Sequence, residues 1–144
     1  MRAESERGLP NETGGVLVGH VDASGRTVIT AMVGPGPQAL RTRTRFRRDG
    51  AYAQAEVDRL YGESAGRDDY AGEWHSHPVS VGPSVIDRGS MAWIGGNKQY
   101  QRARPLLVIM QRAGTQGWRP LSYRWSQGRL VEVLQMHQVD PSSA

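Results

Sequence analysis

The chain of 144 residues has no cysteine. That absence excludes disulfides, zinc ribbons, thiol nucleophiles and cysteine-ligated deaminase sites, so any metal must be held by nitrogen and oxygen ligands. Phenylalanine is nearly missing, with Phe46 the single example, and without interleaved aromatics a base-stacking surface for nucleic acid is not expected. Hydrophobic residues make up 38% of the chain, low for a globular protein, and no run approaches the length of a membrane span. The segment Met1 to Pro10 lacks the apolar core of a signal peptide. A cytoplasmic location without a membrane partner is therefore expected.

What is present suits a single domain over 1–144, with a core over about 12–135 and flexible ends at 1–11 and 138–144. The net charge is +4, and arginine dominates the basic set. Arg41-Thr-Arg-Thr-Arg-Phe-Arg-Arg48 alternates, so as a strand it would place Arg41, Arg43, Arg45 and Arg47 on one face. A solvated face is the plainest reading of that pattern, with an acidic protein partner or nucleic acid as alternatives.

Two apolar runs, Gly15–Val21 and Thr27–Val33, read as strands joined by a turn, and Gly34-Pro-Gly-Pro37 ends the second. Asp49 can cap a helix over 51–63 with Ala53, Val57, Leu60 and Tyr61 as its apolar stripe. A short strand over Tyr70–His75, an exposed loop over 78–83 and a helix over 84–93 with Ser84 as N-cap follow. Leu106–Met110, Trp118–Trp125 and Leu130–Met136 read as three more strands, the last two joined at Ser126-Gln-Gly128. Strands and helices interleave, which predicts an α/β fold with a mixed sheet and helices on its faces.

Only four histidines occur, and two of them stand one residue apart in Gly72-Glu-Trp-His-Ser-His-Pro78. On a strand His75 and His77 project to the same side, roughly 7 Å apart at Cα. Asp87, in the first turn of the next helix, can supply a third ligand. Two imidazoles and a carboxylate leave a fourth position open, the pattern of a catalytic zinc site with bound water. Zinc lowers the pKa of such water towards about 7 and polarises a carbonyl. Another group must take the proton, and another should steady the oxyanion. Ser84, one helical turn before Asp87, can face the same cavity or act only as an N-cap. Glu73 shares the face of the histidines and is a rival base, more in keeping with a supporting role well back along the strand. His20 and His137 have no ligand-type neighbours in sequence and read as structural. Trp74 is expected to pack behind the site.

Rival metal patterns do not fit. Metallo-β-lactamases need Asp-His where Val79-Ser80 stand, cupins need a glutamate soon after the second histidine, and a helical His-Glu-x-x-His is absent. The remaining set, His75-Ser-His-Pro78 and Ser84-x-x-Asp87, resembles the JAB/JAMM metallopeptidases, also called MPN-plus proteins. Glu12-Thr-Gly-Gly-Val-Leu-Val-Gly19 is similar to the first strand of that family, and Trp93 adds to a likeness with its bacterial Prok-JAB branch. The resemblance covers about 12–135. It departs from the family in two places: six residues separate His77 from Ser84, where the eukaryotic pattern has seven, and only eleven residues precede Glu12.

The resemblance implies a JAB/MPN fold, cytidine-deaminase-like, whose mixed and mostly antiparallel central sheet is flanked by helices. It implies Zn2+ on His75, His77 and Asp87, with Glu12 as general base and Ser84 as oxyanion stabiliser. The function implied is a zinc isopeptidase or peptidase cleaving at the C-terminal glycine of a ubiquitin-like protein or its conjugate. E1- and E2-like proteins of an anti-phage operon are the implied partners. Processing of a ThiS-like sulfur carrier is the alternative within enzymes, and a non-catalytic MPN scaffold the alternative outside them.

Overall fold

Strand β1 (Gly14–Val21) is buried from its start through Gly19, an apolar run whose two faces are both covered. The computed structural model describes residues 1–79, 82–100, 104–114 and 117–133. With β1 in one sheet lie β2 (Thr27–Met32), β5 (Asp69–His77), β6 (Leu106–Arg112), β7 (Trp118–Ser126) and β8 (Arg129–Glu132), in the order β2-β1-β5-β6-β7-β8. Every neighbouring pair is antiparallel except β5 and β6. The fold is therefore α/β with a mixed, mostly antiparallel sheet, as expected. A separate ribbon pairs β3 (Leu40–Arg41) with β4 (Phe46–Arg47).

Helices α2 (Gly50–Glu63) and α3 (Val85–Gly96) cover one face of the sheet. Ala53 and Val57 from α2 and Met91 and Ile94 from α3 pack there on Val16 and Ile109. Asp49 caps α2 by accepting the Tyr52 amide at 3.1 Å. Tyr61, expected in the buried stripe, is instead 48% exposed. On the other face Leu17, Trp74, Val108 and Trp118 form a second core, against which Met1 and Leu9 pack. Truncating a side chain as fully enclosed as Leu17 costs about 2–5 kcal/mol.

Two expectations are corrected. Residues 1–11 hold helix α1 (Arg2–Gly8), which buries Ser5 and Gly8 and ties Arg2 to the Trp118 carbonyl at 3.1 Å. Seven residues without a long apolar stripe give no local helix signal, and α1 persists because of these distant contacts. The arginine run is not one strand. It turns back on itself, Thr42 donating its amide to the Arg45 carbonyl at 2.8 Å. Four like charges on one strand face would repel, and an exposed strand buries nothing to offset that.

The remaining elements follow expectation with small shifts. Strand β5 extends to His77, β6 to Arg112 and α3 to Gly96. The turn from β7 to β8 places Gln127 and Gly128 at φ 50° and 77°, suited to a tight hairpin. Parts of the expected 78–83 loop (80 and 81) and of the Leu130–Met136 strand (134–136), with His137 and 138–144, lie outside the described residues.

Candidate metal centre

Strand β5 delivers Glu73, His75 and His77 to the helix-covered face by simple alternation and ends at Pro78. A register shift against β1 between Leu17 and Val18 adds a residue to β5 and turns Tyr70 towards Glu73. The chain then returns at Ser84, which opens α3 with a capping box. Ser84 Oγ accepts the Asp87 amide at 3.1 Å, and Asp87 Oδ2 accepts the Ser84 amide at 2.6 Å. This reciprocal pair fixes the Asp87 carboxylate over the end of β5.

Three donors converge there. His75 Nε2 and His77 Nε2 are 3.0 Å apart. Asp87 Oδ1 lies 3.2 Å from His75 Nε2, and Oδ2 lies 3.5 Å from His77 Nε2. Bonds of about 2.0–2.2 Å to a tetrahedral zinc imply donor–donor spacings of about 3.3–3.5 Å, so these residues fit a zinc-sized cation. Lone pairs gathered this closely repel one another unless a cation or a shared proton stands among them. His75, His77 and Asp87 form the one group of three or more such residues among the described residues. Burial and the neighbouring His75 hold His77 below the usual histidine range, which keeps the ring in the neutral form a metal needs. Burial alone would raise Asp87, but hydrogen bonds from His75 and Ser84 hold it well below the usual carboxylate range.

The β1–β5 register pairs Gly14 with His75 and, continued, brings Glu12 opposite His77. A Cβ at Gly14 would stand 2.4 Å from the Trp74 carbonyl and 2.7 Å from His75 Cβ, so the close approach requires glycine. Glu12 is 7% exposed, and its Oε1 lies 4.0 Å from His77 Nε2. No hydrogen-bond donor reaches its side chain among the described residues. Burial pushes its pKa up to about 7, with His75 pulling down and Asp87 pushing up. The Glu12 amide donates to the Thr42 carbonyl at 2.8 Å, anchoring this residue to the β3–β4 ribbon.

Glu73 is placed differently. Its Oε2 accepts from Arg48 Nη1 at 2.7 Å and its Oε1 from the Tyr70 hydroxyl at 2.8 Å, while Arg48 Nη2 also donates to the Tyr100 hydroxyl at 3.1 Å. With both oxygens engaged, it has a supporting geometry. Trp74 points away from the histidines, buried, with Nε1 donating to the Val33 carbonyl at 3.0 Å. His20 Nδ1 pairs with Asp68 Oδ1 at 2.7 Å, and Asp68 also accepts from Thr30 at 2.7 Å, a structural network away from the three donors.

Sequence reasoning missed Ser76. Its hydroxyl accepts the Thr13 amide at 3.0 Å while its own amide donates to the Thr13 carbonyl at 2.7 Å, both residues being fully buried. Ser76 thereby clamps the residue next to Glu12. The signal was available in the alternation, because a hydroxyl between two same-face histidines must point into the opposite core and find a partner there. Arg48 was missed as well, since its partner lies 25 residues on.

Residues 1–125 match the profile of Prok-JAB, prokaryotic homologs of the JAB domain. A probable metalloprotease of Sinorhizobium fredii, y4qB, is 32% identical over 100% of this chain and 87% of its own length. A CD-NTase/cGAS isopeptidase of Escherichia coli is 40% identical over 59% of this chain, and the match spans only 53% of that protein. The solution structure of a protein from Desulfitobacterium hafniense superposes with a TM-score of 0.62 at 20% identity, covering 92% of this chain and 82% of that one, a likeness of fold alone.

Proposed function

The chain belongs to the Prok-JAB family, and from that premise we propose that it is a zinc-dependent peptidase or isopeptidase acting at the C-terminal glycine of a ubiquitin-like protein or its conjugate. The observation that carries this reading is the convergence of His75, His77 and Asp87 with Glu12 4.0 Å from the cluster. His75, His77 and Asp87 would hold the ion, which supplies Lewis acidity and brings water within reach of deprotonation near neutral pH. Glu12, whose side chain has no hydrogen-bond donor among the described residues, takes the proton of the attacking water and returns it to the leaving amine. The Ser84 hydroxyl uses a lone pair to cap α3 and retains its proton, which it donates to the oxyanion as the carbonyl carbon becomes tetrahedral.

The relatives named as CD-NTase/cGAS isopeptidases support a conjugate as the substrate, and E1- and E2-like proteins of a shared anti-phage operon fit as partners. Among the described residues no helix is long and apolar enough to cross a membrane, and a cytoplasmic site of action fits that. The test is metal content together with cleavage of a glycine-terminated isopeptide. One zinc per folded chain and activity abolished by chelation are expected. A folded chain without stoichiometric metal would instead favour the scaffold reading.

A further inference from the structure

The five arginines between 41 and 48 fall into two groups. Arg48 turns inward to Glu73 at 2.7 Å, and Arg41 lies 3.8 Å from Glu4. Arg43, Arg45 and Arg47 are exposed and face no carboxylate within ion-pair distance among the described residues. Some surface arginines find local partners, as Arg26 does with Asp22 at 2.9 Å and Arg59 with Glu56 and Glu63 at 2.8 and 2.6 Å. Exposed Arg88, Arg112, Arg119 and Arg129 have none among the described residues, but they stand on separate elements. The three unpaired cations crowd a ribbon with only two residues in each strand, where like charges destabilise. Among the described residues no carboxylate compensates that repulsion.

The ribbon is also fixed against the site. Its Thr42 carbonyl holds the Glu12 amide at 2.8 Å, and Phe46 packs beside Gly14, the residue paired with His75. We infer that the β3–β4 ribbon is a docking surface for an acidic stretch of the protein substrate, engaged by Arg43, Arg45 and Arg47 while the scissile bond lies between Glu12 and the His75–His77–Asp87 cluster. The inference rests on the peptidase reading for its choice of a protein ligand. For a nucleic acid the ribbon is narrow, and its one aromatic ring is turned inward beside Gly14. The acidic stretch raises encounter rate and residence at the site without touching the chemical step.

The test uses the full chain and two fluorescein-labelled peptides that end in Gly-Gly, one with a preceding run of glutamates and one with glutamines. At low ionic strength the glutamate peptide binds roughly tenfold tighter, and that advantage disappears in about 0.5 M NaCl. It also disappears in the Arg43→Glu/Arg45→Glu variant. Equal binding of the two peptides, or an advantage that survives the double reversal, overturns the inference. So does a duplex oligonucleotide that outcompetes the glutamate peptide and loses its hold in the same variant. Turnover of a Gly-Gly coumarin amide, too short to reach the ribbon, reports on the peptidase reading separately and should be equal in wild type and double variant. If neither protein cleaves it, that reading fails, while the binding measurement still decides the docking surface.

Discussion

Glu12, buried, and Glu73, half-buried, are two carboxylates on one face of one sheet, close to the same histidines, and desolvation raises the pKa of both. Their surroundings separate them. Glu73 sits in mid-strand, where Arg48 and Tyr70 occupy its two oxygens. Glu12 sits just before β1, held through its backbone by Thr42, and its side chain faces His77 Nε2 with no donor to it among the described residues. A base has to be able to accept a proton. Saturation by an arginine and a phenol removes that capacity, whereas a carboxylate fixed only by its main chain keeps it. On the proposed assignment, burial alone does not separate the base from its neighbour; the count of uncommitted lone pairs does.

The largest effect expected is from His77→Ala, which removes one of three donors. Metal content should fall below stoichiometric, and turnover should drop by at least about a thousandfold. Neither glutamate variant should move the metal content in this way, so zinc analysis of all three proteins sharpens the contrast.

Stability separates the glutamates next. Glu73→Gln leaves the Arg48 guanidinium without its counter-charge and should cost about 2–3 kcal/mol in denaturant unfolding, less than a fully enclosed pair because Arg48 is partly exposed. Arg48→Met/Glu73→Met should recover part of that loss. Equal stability of Glu73→Gln and wild type would contradict the role given to the pair.

A pH series on metal-free protein probes Glu12. Its folded pKa of about 7 lies above the ordinary 4.5, so across that window the folded state binds a proton that the unfolded state does not. Glu12 therefore makes stability fall as pH rises from 4.5 to about 7. His77, whose pKa is lowered, pulls the other way in part of that window, but it is common to wild type and Glu12→Gln. The difference between their melting curves isolates Glu12. It should widen in favour of Glu12→Gln with rising pH, and parallel curves would contradict the account.

The smallest effect concerns positioning. Ser76→Ala leaves the buried Thr13 amide unsatisfied, for about 1–3 kcal/mol of stability. It should lower kcat by roughly tenfold with KM and metal content unchanged, since a displaced base weakens only the chemical step. Restoration of kcat by Ser76→Thr distinguishes a lost clamp from general loosening.

Much of this was legible in local pattern. The runs at β1, β2 and β6 and the caps at Asp49 and Ser84 are signals confined to neighbours in sequence, and the structure follows them. His75, His77 and Asp87 were legible because alternation and a helical first turn dictate where they point. Helix α1 was not legible, because Arg2 and the Trp118 carbonyl are 116 residues apart and nothing local marks the contact. The ribbon was misread because alternating Arg and Thr has the period of a strand, while charge repulsion and lack of burial decide against one. The difference between Glu12 and Glu73 was only partly legible. Position suggested it, but Arg48, Tyr70 and Thr42 create it from distant parts of the chain.

The most direct measurement of that difference is the single-turnover rate of zinc-loaded Glu12→Gln and Glu73→Gln on one isopeptide substrate, with zinc content confirmed for both. Glu12→Gln should hold its zinc and lose about 10²–10⁴ in rate, while Glu73→Gln, measured per folded molecule, stays within about tenfold of wild type. Near-normal turnover by zinc-loaded Glu12→Gln, or a greater loss in Glu73→Gln, would contradict the assignment of Glu12 as the base.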